Sequence, residues 1–126
     1  MEDFVPYELA VKLKDKGYSQ SFEPYGCKFI FRNDDTICRL SEIGAYDSEW
    51  LGEYIPCPAI SQVLMWLRKT HNLFIVVFLN DDTDNPITYE IYKGVECILR
   101  AHRYFSLNDW SKAELYAIEY ILDNII

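Results

Sequence analysis

CPAISQVLMWLRKTHNLFIVVFLNDDTDNPITYEIYKGVECILRAHRYFSLNDWSKAELYAIEYILDNII, residues 57–126, decides the fold. Within it, residues 58–70 carry Ile60, Val63, Leu64 and Leu67 at helical spacing, which predicts an amphipathic helix. Trp66 falls off that stripe, beside Ala59, Gln62 and Lys69, so either a second layer covers it or it is a contact for a partner. The run LFIVVFL, residues 73–79, is apolar on both faces and reads as a central strand covered on both sides. Residues 80–86 form a polar turn whose acidic spacing hints at a calcium loop. Asn85 stands where that loop needs glycine, and Ile91 where it needs a bidentate glutamate, which rejects the EF-hand reading.

Two alternating strands follow. Ile87, Tyr89 and Ile91 make one apolar row, and Val95, Cys97, Leu99 and Ala101 make the next. Both rows share a face if Ile91 pairs with Val95 through a three-residue loop, Tyr92-Lys93-Gly94, with Gly94 left-handed. The last helix spans about residues 108–125 behind a Ser106 or Asn108 cap. Its apolar arc runs through Trp110, Ala117, Ile118, Ile121, Leu122 and Ile125, with Glu114 inside the arc, while Tyr116 and Tyr120 point the other way.

Upstream, residues 6–16 predict a helix that starts at Pro6, buries Leu9, Ala10 and Leu13, and stops at Gly17. Residues 19–25 read as loop. Residues 27–32 and 36–40 read as a hairpin around Asn33-Asp34-Asp35. Residues 41–56 hold no period and read as an irregular loop anchored by Trp50, Leu51 and Tyr54.

These elements predict a single α+β domain over residues 1–126: a mainly antiparallel sheet of about five strands with three helices, the second and third packing on one face. A chain of 126 residues, 50% hydrophobic and 25% charged, is long enough for one real core and too apolar for wholesale disorder. No apolar run approaches the roughly 20 residues that cross a bilayer. The acidic start, Met1-Glu-Asp-Phe, lacks the layout of a secretory signal. The expectation is a cytoplasmic protein without a membrane partner.

Cys27, Cys38, Cys57 and Cys97 are widely spaced, and only His71 and His102 accompany them, so neither a metal nor another cofactor is expected. A net charge of −8 argues against gripping a phosphate backbone and permits an acidic inhibitor that competes with nucleic acid. A stacking platform of Arg100, His102 and Arg103 with Tyr92 or Tyr104 on the open sheet face would need a basic stripe that the sequence lacks. Cys57, between Pro56 and Pro58, has chemical flavour, since a cysteine at a helix N-terminus has a more available thiolate. No second cysteine follows three residues on; Ile60 stands there. Glu114, Glu90 and the pair Arg100 and His102 on the open face of the last strand are the acid–base candidates, His71 just past the second helix reads as a cap, and none of them forms a triad. No catalytic residue is assigned.

PAISQVLMWLRKTHN, residues 58–72, resembles the middle helix of a family of small acidic proteins of prophages and mobile elements in gut bacteria. PYELAVKLKDKG, residues 6–17, is similar to its first helix. The resemblance implies a phage-linked, cytoplasmic setting and carries no activity, cofactor or catalytic residue with it.

The function expected is that of a non-enzymatic accessory protein that binds another protein or itself. The aromatic excess of 16% and Trp66, Tyr116 and Tyr120 as a partner surface motivate it. The alternatives are a small enzyme using Cys57 or the Glu114 region, and an acidic inhibitor or nucleic-acid mimic.

Overall fold

The structure is a computed structural model that describes residues 3–18, 29–31, 36–39, 55–81, 84–101 and 103–126. It confirms the α+β class: among the described residues, three helices accompany six short strands. The strands form two antiparallel three-stranded sheets rather than one. Elements in chain order are α1 (Tyr7–Asp15), β1 (Phe29–Phe31), β2 (Ile37–Arg39), β3 (Ile55–Pro56), α2 (Ile60–His71), β4 (Leu73–Leu79), β5 (Ile87–Lys93), β6 (Glu96–Arg100) and α3 (Trp110–Asn124). The chain divides into two compact units, residues 1–63 and 64–126, with the boundary inside α2.

In the first unit, α1 buries Leu9, Ala10 and Leu13 as its spacing predicts. It ends in a Schellman motif: Gly17 takes φ +99°, Gly17 N–H donates to the Lys14 carbonyl, and Tyr18 N–H donates to that of Leu13. Tyr18 and Leu13 are both buried beneath the turn, which is the apolar contact this motif favours. β1 is the central strand of this sheet, Ile30 opposite Cys38 on one side and Pro56 on the other. The β1–β2 hairpin matches expectation; its turn, the predicted loop at 19–25 and residues 40–54 lie outside the described residues. β3 replaces the last two residues of the expected irregular loop. Proline at such a position is tolerated because, among the described residues, β3 is an edge.

The start of α2 is well satisfied. Gln62 reaches back with its side-chain oxygen to the Ala59 amide at 2.9 Å, and the Ile60 amide donates to the Asp3 carbonyl at 2.8 Å. The former is one half of a capping box.

In the second unit, α2 passes into β4 through Asn72 alone, whose left-handed φ of +55° ends the helix and turns the chain at once. β5 is the central strand, order β4-β5-β6. The expectation that LFIVVFL lies at the centre of a sheet is therefore corrected: among the described residues β4 has one strand neighbour and is an edge. Apolarity in a seven-residue run does not distinguish the two cases.

The β5–β6 connection also departs from expectation. Lys93 pairs with Glu96 and Tyr92 with Cys97, so the loop is the two residues Gly94-Val95, with Gly94 at φ +60° and Val95 fully exposed. Among the described residues, positive φ occurs otherwise only at Gly17 and Asn72, so glycine at the first central position of this loop fits a type II′ turn. The register then shifts: Ile91 pairs with Leu99 and Glu90 with Arg100, leaving Ile98 as the extra residue of a bulge. Ile91 and Leu99 reach the same face by this bulge, not by loop length.

α3 packs on β4 and β5 and buries Ala113, Ala117, Ile118, Ile121 and Leu122. Its cap is Asp109, not Ser106 or Asn108; the Ser106 hydroxyl donates to the Asp109 carboxylate at 2.9 Å. Trp110, expected in the apolar arc, is 43% exposed.

Candidate functional site

Pairing parity sorts the side chains of the second sheet. Ile87, Tyr89 and Ile91 of β5 share a face with Leu73, Ile75, Val77 and Leu79 of β4 and with Leu99 of β6. This is the α3 side: all three β5 residues are buried, and Tyr89 stacks toward Phe105, which meets Tyr116 of α3 at 5.3 Å. The opposite face carries Phe74, Val76 and Phe78 beside Thr88, Glu90 and Tyr92, then Cys97 and Arg100.

The bulge brings a titratable cluster together on that second face. Cys97 and Arg100 are three apart and would sit on opposite faces of a regular strand. Ile98 inserts between them, so both join Glu90 and Tyr92. The Tyr92 hydroxyl donates to the Glu90 carboxylate, which pushes the Tyr92 pKa up to about 12. Arg100 is raised further above its usual value, first by a hydrogen bond to the Cys97 sulfur and then by the Glu90 charge. The Cys97 thiol also lies 3.6 Å from the Leu99 carbonyl. The group is a polar lattice of Glu90, Tyr92, Cys97 and Arg100 on one face of β5 and β6.

The residues singled out from sequence fare unequally. Trp66 is 1% exposed, with the His71 ring edge-on at 4.9 Å; it belongs to the interior and leaves the expected partner surface. Tyr116 is half-buried and held within its own unit. Arg103 lies over its ring at 4.0 Å and donates to its hydroxyl at 2.9 Å. Only Tyr120, 37% exposed, remains a surface aromatic of that set. Arg103 thereby turns to the helix side while Arg100 and Tyr92 occupy the other face, so the expected stacking platform is split; His102 lies outside the described residues.

Cys57 is 0% exposed, and its amide donates to the Phe29 carbonyl at 2.9 Å. It precedes the α2 cap by two residues, and the amides of Ala59 and Ile60 there are already bonded. A thiolate in that position would be shut off from solvent. Glu114 is half-buried and makes interactions of its own. Burial lowers the pKa of His71, whose Nε2 has no hydrogen-bond partner. Among the described residues, no group of three or more His, Cys, Asp or Glu is placed to hold a metal ion, and no helix is long and apolar enough to cross a membrane.

What the structure adds is the free edge of β4. The Asn80 amide donates to the Pro86 carbonyl at one end of β4, and the Gly94 amide donates to the Asn72 carbonyl at the other. Both bonds belong to even-numbered β4 positions. Because hydrogen-bonded and non-bonded pairs alternate, Phe74, Val76 and Phe78 bond to β5, and Ile75, Val77 and Leu79 direct their N–H and C=O groups outward. No described strand accepts them. Val76 and Leu79 are 43% and 60% exposed. The sequence shows seven apolar residues with no charge, proline or glycine, a run that fits a central strand as well as an edge.

The chain matches no protein-family model, no curated protein and no solved structure.

Proposed function

We propose that this is a non-enzymatic accessory protein of phage or mobile-element origin, working in the cytoplasm, that acts by pairing a strand of a protein partner with the edge of β4. One observation carries the reading, the contrast between the two edges of the second sheet. β6 bears Glu96 and Arg100 and a bulge, devices that discourage strand addition. β4 has none of them, although it is the longer and more apolar of the two. A long, apolar, unguarded edge is the kind that proteins use for strand addition, where main-chain bonds supply affinity and alternate side chains supply selectivity. The burial of Cys57 weighs against the thiol form of the enzyme alternative.

Val77→Pro tests the reading. The Val77 amide points outward, so proline there removes an edge donor without breaking a bond to β5, and prolines are accommodated on such edges. The variant is expected to stay folded by circular dichroism and to lose the complexes that wild-type protein forms in light scattering and pull-down. Identical complexes from both proteins would contradict the proposal.

A further inference from the structure

Resting on that edge reading, the geometry points to a second copy of this chain as the occupant, its β4 antiparallel to the first about a two-fold axis at Val76. Three observations converge on this arrangement. The first is that LFIVVFL is nearly the same read backwards. With Val76 opposite Val76 of the second copy, Leu73 faces Leu79, Phe74 faces Phe78, and Ile75 faces Val77. A two-fold interface is self-complementary by construction, and this strand supplies matching cross-strand pairs at every position.

The second is hydrogen-bond parity. The outward-pointing groups of β4 belong to odd-numbered residues, as the bonds at Asn72 and Asn80 require. An axis at Val76 pairs odd with odd, Ile75 with Val77 and Leu73 with Leu79. The donors and acceptors of the two copies therefore meet, making up to about eight main-chain bonds. An axis displaced by half a residue would set outward groups against inward ones, and none would form.

The third is charge. α2 brings Arg68 and Lys69 to the start of β4, and Asp81 and Asp84 follow its end, both exposed. Antiparallel pairing puts the basic end of each copy beside the acidic end of the other, twice by symmetry. Parallel pairing would put like beside like. This local complementarity opposes the repulsion between two chains of net charge −8. The product is a continuous six-stranded sheet whose outer strands are the bulged, charged β6 edges, so assembly stops at two.

A cysteine cross-link reads both occupant and register. Val76→Cys places two thiols at a non-hydrogen-bonded pair on the axis, where the Cα separation suits a disulfide. In an oxidised-glutathione buffer, full-length Val76→Cys is expected to form a 76–76 disulfide dimer at least about tenfold faster than Ile98→Cys, whose exposed position on β6 controls for collision. Phe74→Cys alone is expected to link poorly and to link readily when mixed with Phe78→Cys. Sedimentation should show a wild-type dimer that Val77→Pro makes monomeric. A monomeric wild type whose Val76→Cys links no faster than Ile98→Cys would overturn self-pairing; the edge reading then survives only if Val77→Pro still abolishes capture of another protein. A wild-type dimer untouched by Val77→Pro would overturn both readings. A Val77→Pro-sensitive dimer that links best at positions other than 76 would overturn the two-fold register.

Discussion

Gly94→Val should destabilise the second unit by about 2 kcal/mol, and the reasons are separable. Gly94 sits at φ +60°, where an L-residue carries a penalty of roughly 1–2 kcal/mol, and a β-branched side chain is poorly suited to that region. A Cβ built on Gly94 would also stand 3.2 Å from the Asn72 side-chain nitrogen. Asn72 is itself left-handed, at φ +55°, and its carbonyl receives the Gly94 amide at 2.9 Å. The crowded residue is therefore the one that joins α2 to β4, and it has little freedom to move its backbone away. Because the Asn72 amide is the end of a side chain, its displacement adds only a part of the total. For a chain of this size, about 2 kcal/mol corresponds to a fall in Tm of roughly 6–10 °C. The assay is thermal unfolding followed by circular dichroism, with Val95→Thr as control. Val95 is fully exposed in the same loop, so its replacement should stay within about 0.5 kcal/mol of wild type. A Gly94→Val protein melting within about 2 °C of wild type would refute the two-residue turn and the bulge that depends on it.

Other perturbations separate the remaining assignments. Tyr116→Ala removes the Arg103 stacking and hydrogen bond and the Phe105 ring contact, and should cost about 2 kcal/mol by chemical denaturation; Tyr120→Ala should cost about 0.5 kcal/mol or less. The folded-state pKa of His71 lies below its usual 6.5, so the unfolded chain binds the proton first. Stability is then full above about pH 6.5 and falls with decreasing pH until the folded-state value is reached; His71→Phe should flatten that limb in a pH series of melting curves. In native protein, thiol labelling followed by mass spectrometry should modify the half-exposed Cys97 well before the buried Cys57, and Cys57→Ser should leave assembly unchanged.

Much of the fold was legible because it rests on local periodicity. Leu9, Ala10 and Leu13 with Gly17 define α1, Ile87, Tyr89 and Ile91 define the buried face of β5, and Ala117, Ile118, Ile121 and Leu122 define that of α3. What escaped depends on contacts distant in sequence. Ile55-Pro56 is a strand only because β1 lies beside it, and two residues carry no period. The Ile98 bulge is invisible in an alternating pattern: the apolar row through Cys97 and Leu99 looks continuous, yet the two side chains take opposite faces. Trp66, for which cover by a second layer is one of the two readings, is buried, whereas Trp110, placed in the apolar arc, is exposed, because a helix's apolar arc does not say how many neighbours cover it. The edge position of β4 was hidden by its apolarity, which reads as burial on both faces until the pairing order is known. The candidate surface thus became visible only once the neighbours of each strand were assigned.

Amide hydrogen exchange along β4, measured across a concentration series, tests the free edge most directly. Phe74, Val76 and Phe78, bonded to β5, should be protected at every concentration. Ile75, Val77 and Leu79 should be equally slow in the assembled protein, and should exchange rapidly on dilution to monomer. Rapid exchange of these three at all concentrations, or protection of Ile75 and Leu79 that persists in monomeric Val77→Pro, would contradict the assignment of β4 as the pairing surface.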